Sequence, residues 1–90
     1  MNKQELIAKA ADKAGISRKD AEAALNALVE VVTEAMKSGD EVRLIGFGTF
    51  SAPMRAARTV RIPGTGDTKQ LPAMRVPKFK PGKGLKEAVN

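Results

Sequence analysis

Apolar residues recur at three- and four-residue steps through the first 36 positions and at two-residue steps after Asp40. The first period predicts two helices. Asn2, followed three residues later by Glu5, resembles a capping box. Leu6, Ile7, Ala10 and Ala14 then fall on one face, and Gly15 closes the segment as a left-handed cap residue would. Ile16 precedes a second start, with Ser17 as N-cap and Asp20 at the third helical position. From there Ala21, Ala24, Leu25, Leu28, Val32, Ala35 and Met36 form one stripe of about four turns. Ser38-Gly39-Asp40 stops it. Only Gly15-Ile16 separates the helices, which predicts a tight helical hairpin.

The second period predicts strands. Val42, Leu44 and Gly46 face one way, and Glu41, Arg43 and Ile45 the other. Gly46-Phe47-Gly48 reads as a tight turn that places one large ring in the core, and residues 49–52 complete a hairpin. Residues 53–76 differ in kind. They hold Pro53, Pro63 and Pro72, the turn sequence Ile62-Pro63-Gly64-Thr65-Gly66-Asp67, and the basic residues Arg55, Arg58, Arg61, Lys69 and Arg75, with Asp67 the single acid. Pro63-Gly64 suits the centre of a type II turn. The segment is therefore expected to be a protruding β-ribbon arm with Pro63 near its tip. Residues 76–80 return to the body, Pro81-Gly82 breaks the strand, and residues 83–89 form a short last helix. The fold class is α+β, in a single domain over residues 1–90: a helical base over 1–39, a β saddle and arm over 40–80, and a C-terminal helix over 82–90.

Composition narrows the function. The 90 residues contain no Cys and no His. That excludes disulfide staples, thiolate zinc sites and nucleophile–His catalysis, and the isolated carboxylates suggest no reaction. No cofactor and no metal are expected, and the chain reads as a non-enzymatic module. No apolar run is long enough to span a membrane and no signal pattern opens the chain, so an intracellular, cytoplasmic location is expected. The net charge of +6 is divided unevenly. Residues 1–42 carry six Lys/Arg and eight Asp/Glu; residues 43–90 carry ten Lys/Arg and only Asp67 and Glu87. A half-chain at +8 suits a polyanionic partner, usually nucleic acid and more rarely an anionic membrane surface.

Length predicts a partner of another kind. With residues 51–76 set aside as the arm, 64 residues remain. Below roughly 70–80 residues a core seldom supplies more than about 3–5 kcal/mol unaided. The stripe on the second helix is longer than the first helix covers. Phe47, Phe50 and Phe79, the only aromatics, also need burial. A two-fold dimer sharing one core, with Leu28, Val32 and the three Phe inside it, is the expected remedy.

The ordered residues resemble a known family. Met1-Asn2-Lys3 with Leu6-Ile7, Ser17 to Ala21 with Leu25-Asn26-Ala27, Gly46-Phe47-Gly48-Thr49-Phe50, Arg55-Ala56-Ala57-Arg58-Thr59, Pro63 with Thr65-Gly66, Val76-Pro77-Lys78-Phe79-Lys80-Pro81-Gly82-Lys83, Leu85-Lys86 and Ala88-Val89-Asn90 are similar to the bacterial HU/integration-host-factor family of histone-like DNA-bending proteins. The resemblance covers the whole chain. It implies an intertwined dimer with a two-helix base, a three-stranded β saddle and two ribbon arms that reach round duplex DNA in its minor groove. Members of this family are themselves standard examples of minor-groove architectural proteins with apolar wedges. On that footing Arg55, Arg58, Arg61, Lys69 and Arg75 would meet phosphates or the narrow groove, Pro63 with Ile62 would insert between base steps, and Lys3, Lys78, Lys80, Lys83 and Lys86 would flank the saddle. The three Phe read as core rather than as base-stacking platforms.

Two departures bear on these expectations. The family's tip usually reads Gly-Arg-Asn-Pro, and here it is Val60-Arg61-Ile62-Pro63, so an apolar residue stands beside the proline. The sequence ends at Asn90, without the extension common in integration host factor, which favours general over site-specific binding. The expected partner is double-stranded DNA, preferably bent, nicked or distorted, bound by a homodimer or a heterodimer with a paralogue in the nucleoid. The alternatives are a site-specific factor of the integration host factor type and an RNA-binding structural protein. RNA is the weaker partner, because the wide, shallow A-form minor groove fits a bending clamp poorly.

Overall fold

The computed structural model describes residues 1–90. The chain divides into two compact units, Met1–Glu34 and Ala35–Asn90, taken here in turn.

The first unit is helical. Helix α1 spans Lys3–Ala14, and helix α2 spans Arg18–Lys37, its last turn belonging to the second unit. Both starts follow the capping reading. The Glu5 N–H donates to the Asn2 side chain at 2.9 Å, and the Asp20 N–H donates to the Ser17 hydroxyl at 3.0 Å. Helix α1 ends at Gly15, in the left-handed conformation. The core between the helices is small: Ile7, Ala11 and Ala21 are buried, and Leu25 packs against them half-buried. The expected α1 face of Leu6, Ile7, Ala10 and Ala14 therefore holds only at Ile7. Its buried partner is Ala11, one helical turn on, while Leu6, Ala10 and Ala14 stay exposed. On α2 the stripe is apolar as read, but Leu28 is 52% exposed and Val32 only half-buried. A 12-residue helix cannot cover a 20-residue one.

The second unit is a sheet with a long ribbon. Strands β1 (Val42–Leu44), β2 (Gly48–Ser51) and β7 (Lys78–Pro81) form a three-stranded antiparallel sheet in the order β1-β2-β7. The turn between β1 and β2 closes with the Phe47 N–H donating to the Leu44 carbonyl at 2.9 Å. Ile45 and Gly46 are thus turn residues rather than strand residues, and Ile45 is fully in solvent. Strand β3 (Met54–Arg55) pairs with β6 (Met74–Arg75), and β4 (Arg58–Arg61) pairs with β5 (Thr68–Leu71). Helix α3 spans Lys83–Ala88.

One register runs through the β2–β7, β3–β6 and β4–β5 ladders. Gly48 faces Pro81, Ser51 faces Lys78, Met54 faces Arg75, Arg58 faces Leu71 and Arg61 faces Thr68. Neither strand gains or loses a residue, so the arm continues the saddle's own β2–β7 pair. Strand structure lapses twice, at Ala52-Pro53 opposite Val76-Pro77 and at Ala56-Ala57 opposite Pro72-Ala73. Each lapse contains proline, which has no N–H to give a ladder.

The three Phe rings cluster, but a single chain does not close a core around them. Phe79 stands between Phe50, at a centroid distance of 4.8 Å, and Phe47, at 5.5 Å. Phe50 is half-buried, and Phe47 and Phe79 remain exposed in the single chain.

Candidate nucleic-acid interface

Alternation sorts the saddle into two faces. Val42 lies opposite Phe50, and Phe50 opposite Phe79, so these residues share the apolar face with Leu44. Arg43 lies opposite Thr49, and Thr49 opposite Lys80. Arg43, Thr49, Ser51, Lys78 and Lys80 therefore share the polar face. An open groove of about 590 Å³ runs along it, lined by Glu41, Arg43, Thr49, Ser51 and Lys80 and, from α3 and the residues before it, Pro81, Gly82, Lys83 and Lys86. Lys80, Lys83 and Lys86 are thus brought together as a basic groove wall, with Lys78 on the same face. Lys83 approaches Glu87 at 3.9 Å, but both side chains are in water and such a pair holds only weakly. Arg43 was not among the sequence candidates. Alternation had already placed it opposite Val42 and Leu44, but only the register puts it in a row with Lys80.

The arm divides its charges. Arg58, Val60, Lys69 and Leu71 occupy one face of the β4–β5 ribbon, with Val60 and Leu71 half-buried. Thr59, Arg61, Thr68 and Gln70 occupy the other. The bases expected as one group therefore point to both sides. The Arg55 guanidinium lies 3.2 Å from the Met74 sulfur across the β3–β6 pair. Arg75 is exposed as a residue, but its Nη1 donates to the buried Ala52 carbonyl at 3.0 Å. The tip spans residues 62–67, with the Ile62 N–H donating to the Asp67 carbonyl at 2.8 Å and the Asp67 N–H to the Thr65 hydroxyl at 3.2 Å. Gly64 has φ 91°, as the third residue of a type II turn requires. Pro63 is exposed at the apex, and Ile62 beside it is 39% exposed.

Lys3 belongs to the first unit, where its Nζ donates to the Asn26 side-chain carbonyl at 2.8 Å. No helix is long and apolar enough to cross a membrane.

A small α+β chain with Arg43, Lys78 and Lys80 on one sheet face and a basic ribbon that ends in an apolar turn is of the class that suits a polyanionic partner. The comparisons with known proteins agree. The family model described as "Bacterial DNA-binding protein" matches residues 1–90. The chain is 53% identical over 89 residues to the DNA-binding protein HU of Geobacillus stearothermophilus, covering 99% of both chains. It is 51% identical over 90 residues to the DNA-binding protein HRm of Rhizobium meliloti, covering both completely. Among solved structures it is similar to an Anabaena HU–DNA cocrystal, with TM-score 0.88 and 46% identity over 99% of this chain and 97% of that one. The chain belongs to the bacterial DNA-binding protein family and is of the HU type, a family of DNA-binding proteins and not of enzymes.

Proposed function

We propose that the protein is an architectural factor that binds duplex DNA through the minor groove with low sequence specificity, bends it by inserting the arm tip, and so compacts nucleoid DNA. The observation that carries this reading is the continuous ribbon. It presents Arg55, Arg58, Arg61 and Lys69 along an arm that ends in exposed Ile62 and Pro63. Proline enters a base stack without burying an unmet N–H. No helix carries a basic recognition face of the kind that reads major-groove edges, so preference falls on DNA that is cheap to deform. The solved complex of the Anabaena relative with DNA supports duplex DNA as the partner.

Charge governs affinity in this reading. Binding is expected to weaken with salt at a log–log slope of about −0.9 per phosphate neutralised. Arg58→Gln and Lys69→Gln are each expected to reduce that slope by about 0.9, measured by fluorescence anisotropy over a salt series. A flat salt dependence would rule out the electrostatic basis. Matched DNA and RNA duplexes in the same titration test the partner, and stronger RNA binding would overturn it. Random against candidate-site duplexes separate general from site-specific binding.

The dimer belongs to the same proposal. Leu28, Val29 and Val31 are each more than half exposed along α2. An apolar groove lined by Ala10, Ala14, Ile16, Ala24, Leu25 and Leu28 lies open on the helical unit. A second copy that covers this face, and the Phe47–Phe79 cluster of the other unit, supplies the core that one chain lacks. Sedimentation at micromolar concentration is expected to give twice the 9.6 kDa chain mass. A stable folded monomer would exclude the shared core.

A further inference from the structure

We propose that Arg75 is a positioning residue and not a DNA contact: its guanidinium ties the root of the ribbon to the turn that ends α2, with Gly39 as the seat it requires. This rests on the reading of the ribbon as a DNA-binding arm.

The tie begins at Ala52. Its carbonyl accepts from Arg75 Nη1 at 3.0 Å, and Ala52 is one of the chain's few buried residues, at 8% exposed. The β1–β2 register stops at Val42 opposite Phe50, two residues short of Ala52. The guanidinium thus supplies a donor beyond the point where β1 ends. Of the five arm bases, Arg75 is the one whose guanidinium is committed to a backbone oxygen. A charge-assisted bond of that kind is among the stronger ones available to a side chain.

The tie ends at Gly39. This residue closes α2, its N–H donating to the Met36 carbonyl at 3.1 Å while the Asp40 N–H donates to the Ala35 carbonyl at 2.9 Å. A Cβ at Gly39 would lie 3.0 Å from Arg75 Nη2 and 3.2 Å from Nη1, and φ there is +84°. A side chain at that position both strains the backbone and displaces the guanidinium. The Val76 N–H, next in sequence to Arg75, donates to the Pro53 carbonyl at 3.0 Å and continues the ladder at the first interruption. Its protection reports directly on whether the root is held.

The experiment uses the full-length protein with Arg75→Gln, Arg75→Lys, Gly39→Ala and the double variant Gly39→Ala/Arg75→Gln. Hydrogen exchange at the Val76 amide of the free protein is expected to quicken about tenfold in Arg75→Gln, the scale of one charge-assisted hydrogen bond lost near solvent. Gly39→Ala is expected to do the same, and the double variant to go no further than Arg75→Gln; a double variant that exchanges faster would show that strain at Gly39 acts apart from the guanidinium and would overturn Gly39 as its seat. The salt slope of DNA binding is expected to stay unchanged in Arg75→Gln. Unchanged Val76 exchange in Arg75→Gln would overturn the proposal. So would a slope reduced by about 0.9 that Arg75→Lys restores, because that is the signature of a phosphate contact. Absence of DNA binding by the unsubstituted chain would sink the reading of the arm instead, and the exchange data would still decide the tie.

Discussion

Replacing Gly48 with alanine is expected to destabilise the protein by about 3 kcal/mol, the upper range for overpacking, and to lower Tm by about 15 °C. The reason is contact on both sides. A Cβ at Gly48 would lie 2.6 Å from two carbons of the Phe79 ring and 2.7 Å from the Lys80 carbonyl oxygen. The backbone oxygen is fixed by the β2–β7 ladder, and the ring is hemmed by Phe50 and Phe47. The backbone oxygen cannot give way without opening the sheet from which the arm extends. Thermal unfolding followed by circular dichroism measures the effect. A Tm within a degree or two of the unsubstituted protein would mean that β2 and β7 do not approach as closely as described.

Pro63→Ala is expected to leave folding and salt dependence intact and to remove most of the bend, measured by fluorescence energy transfer between the ends of a duplex. Pro63 sits at the apex of a tip closed by the Ile62–Asp67 bond and makes no packing contribution to the body. Its loss therefore falls on the ligand. Bending a site of 20–30 base pairs costs about 1–6 kcal/mol, and a nick removes much of that cost. A protein that kinks DNA prefers nicked to intact duplex by a corresponding factor. Without the wedge that preference is expected to shrink about tenfold, equivalent to about 1.4 kcal/mol. An undiminished bend would show that the tip does not insert.

Much of this architecture is legible in the sequence. Both helix starts were readable because Asn2/Glu5 and Ser17/Asp20 are local signals, complete within one turn. The ribbon and its tip were readable because Pro63-Gly64 fixes a turn between two strand-like legs. What was hidden depends on register. Arg43 joins Lys80 only once Thr49 is known to lie between them, and pairing is a long-range property that no local pattern states. Arg75 looked like a fifth arm base because its charge and position match the other four; its hydrogen bond to Ala52 and its nearness to Gly39 span 23 and 36 residues of sequence. The exposed Leu28, Phe47 and Phe79 were expected as core, and a single chain leaves them uncovered. In the proposed dimer a second copy would enclose them, which one copy of the sequence can suggest but not supply.

The two lapses in the ribbon have a mechanical meaning. Because the register is conserved across them, each is a joint and not a fault: the strands keep their alignment while losing cross-links at the prolines. Bending stiffness is lowest where cross-links are fewest. The lapse at the root keeps the Val76–Pro53 bond and the Arg75–Ala52 bond, so the outer lapse at Ala56-Ala57 opposite Pro72-Ala73 is the freer of the two. In the proposed mode of binding such an arm would conform to grooves of unequal width instead of selecting one, so that indifference to sequence would be a property of the handle as much as of the grip.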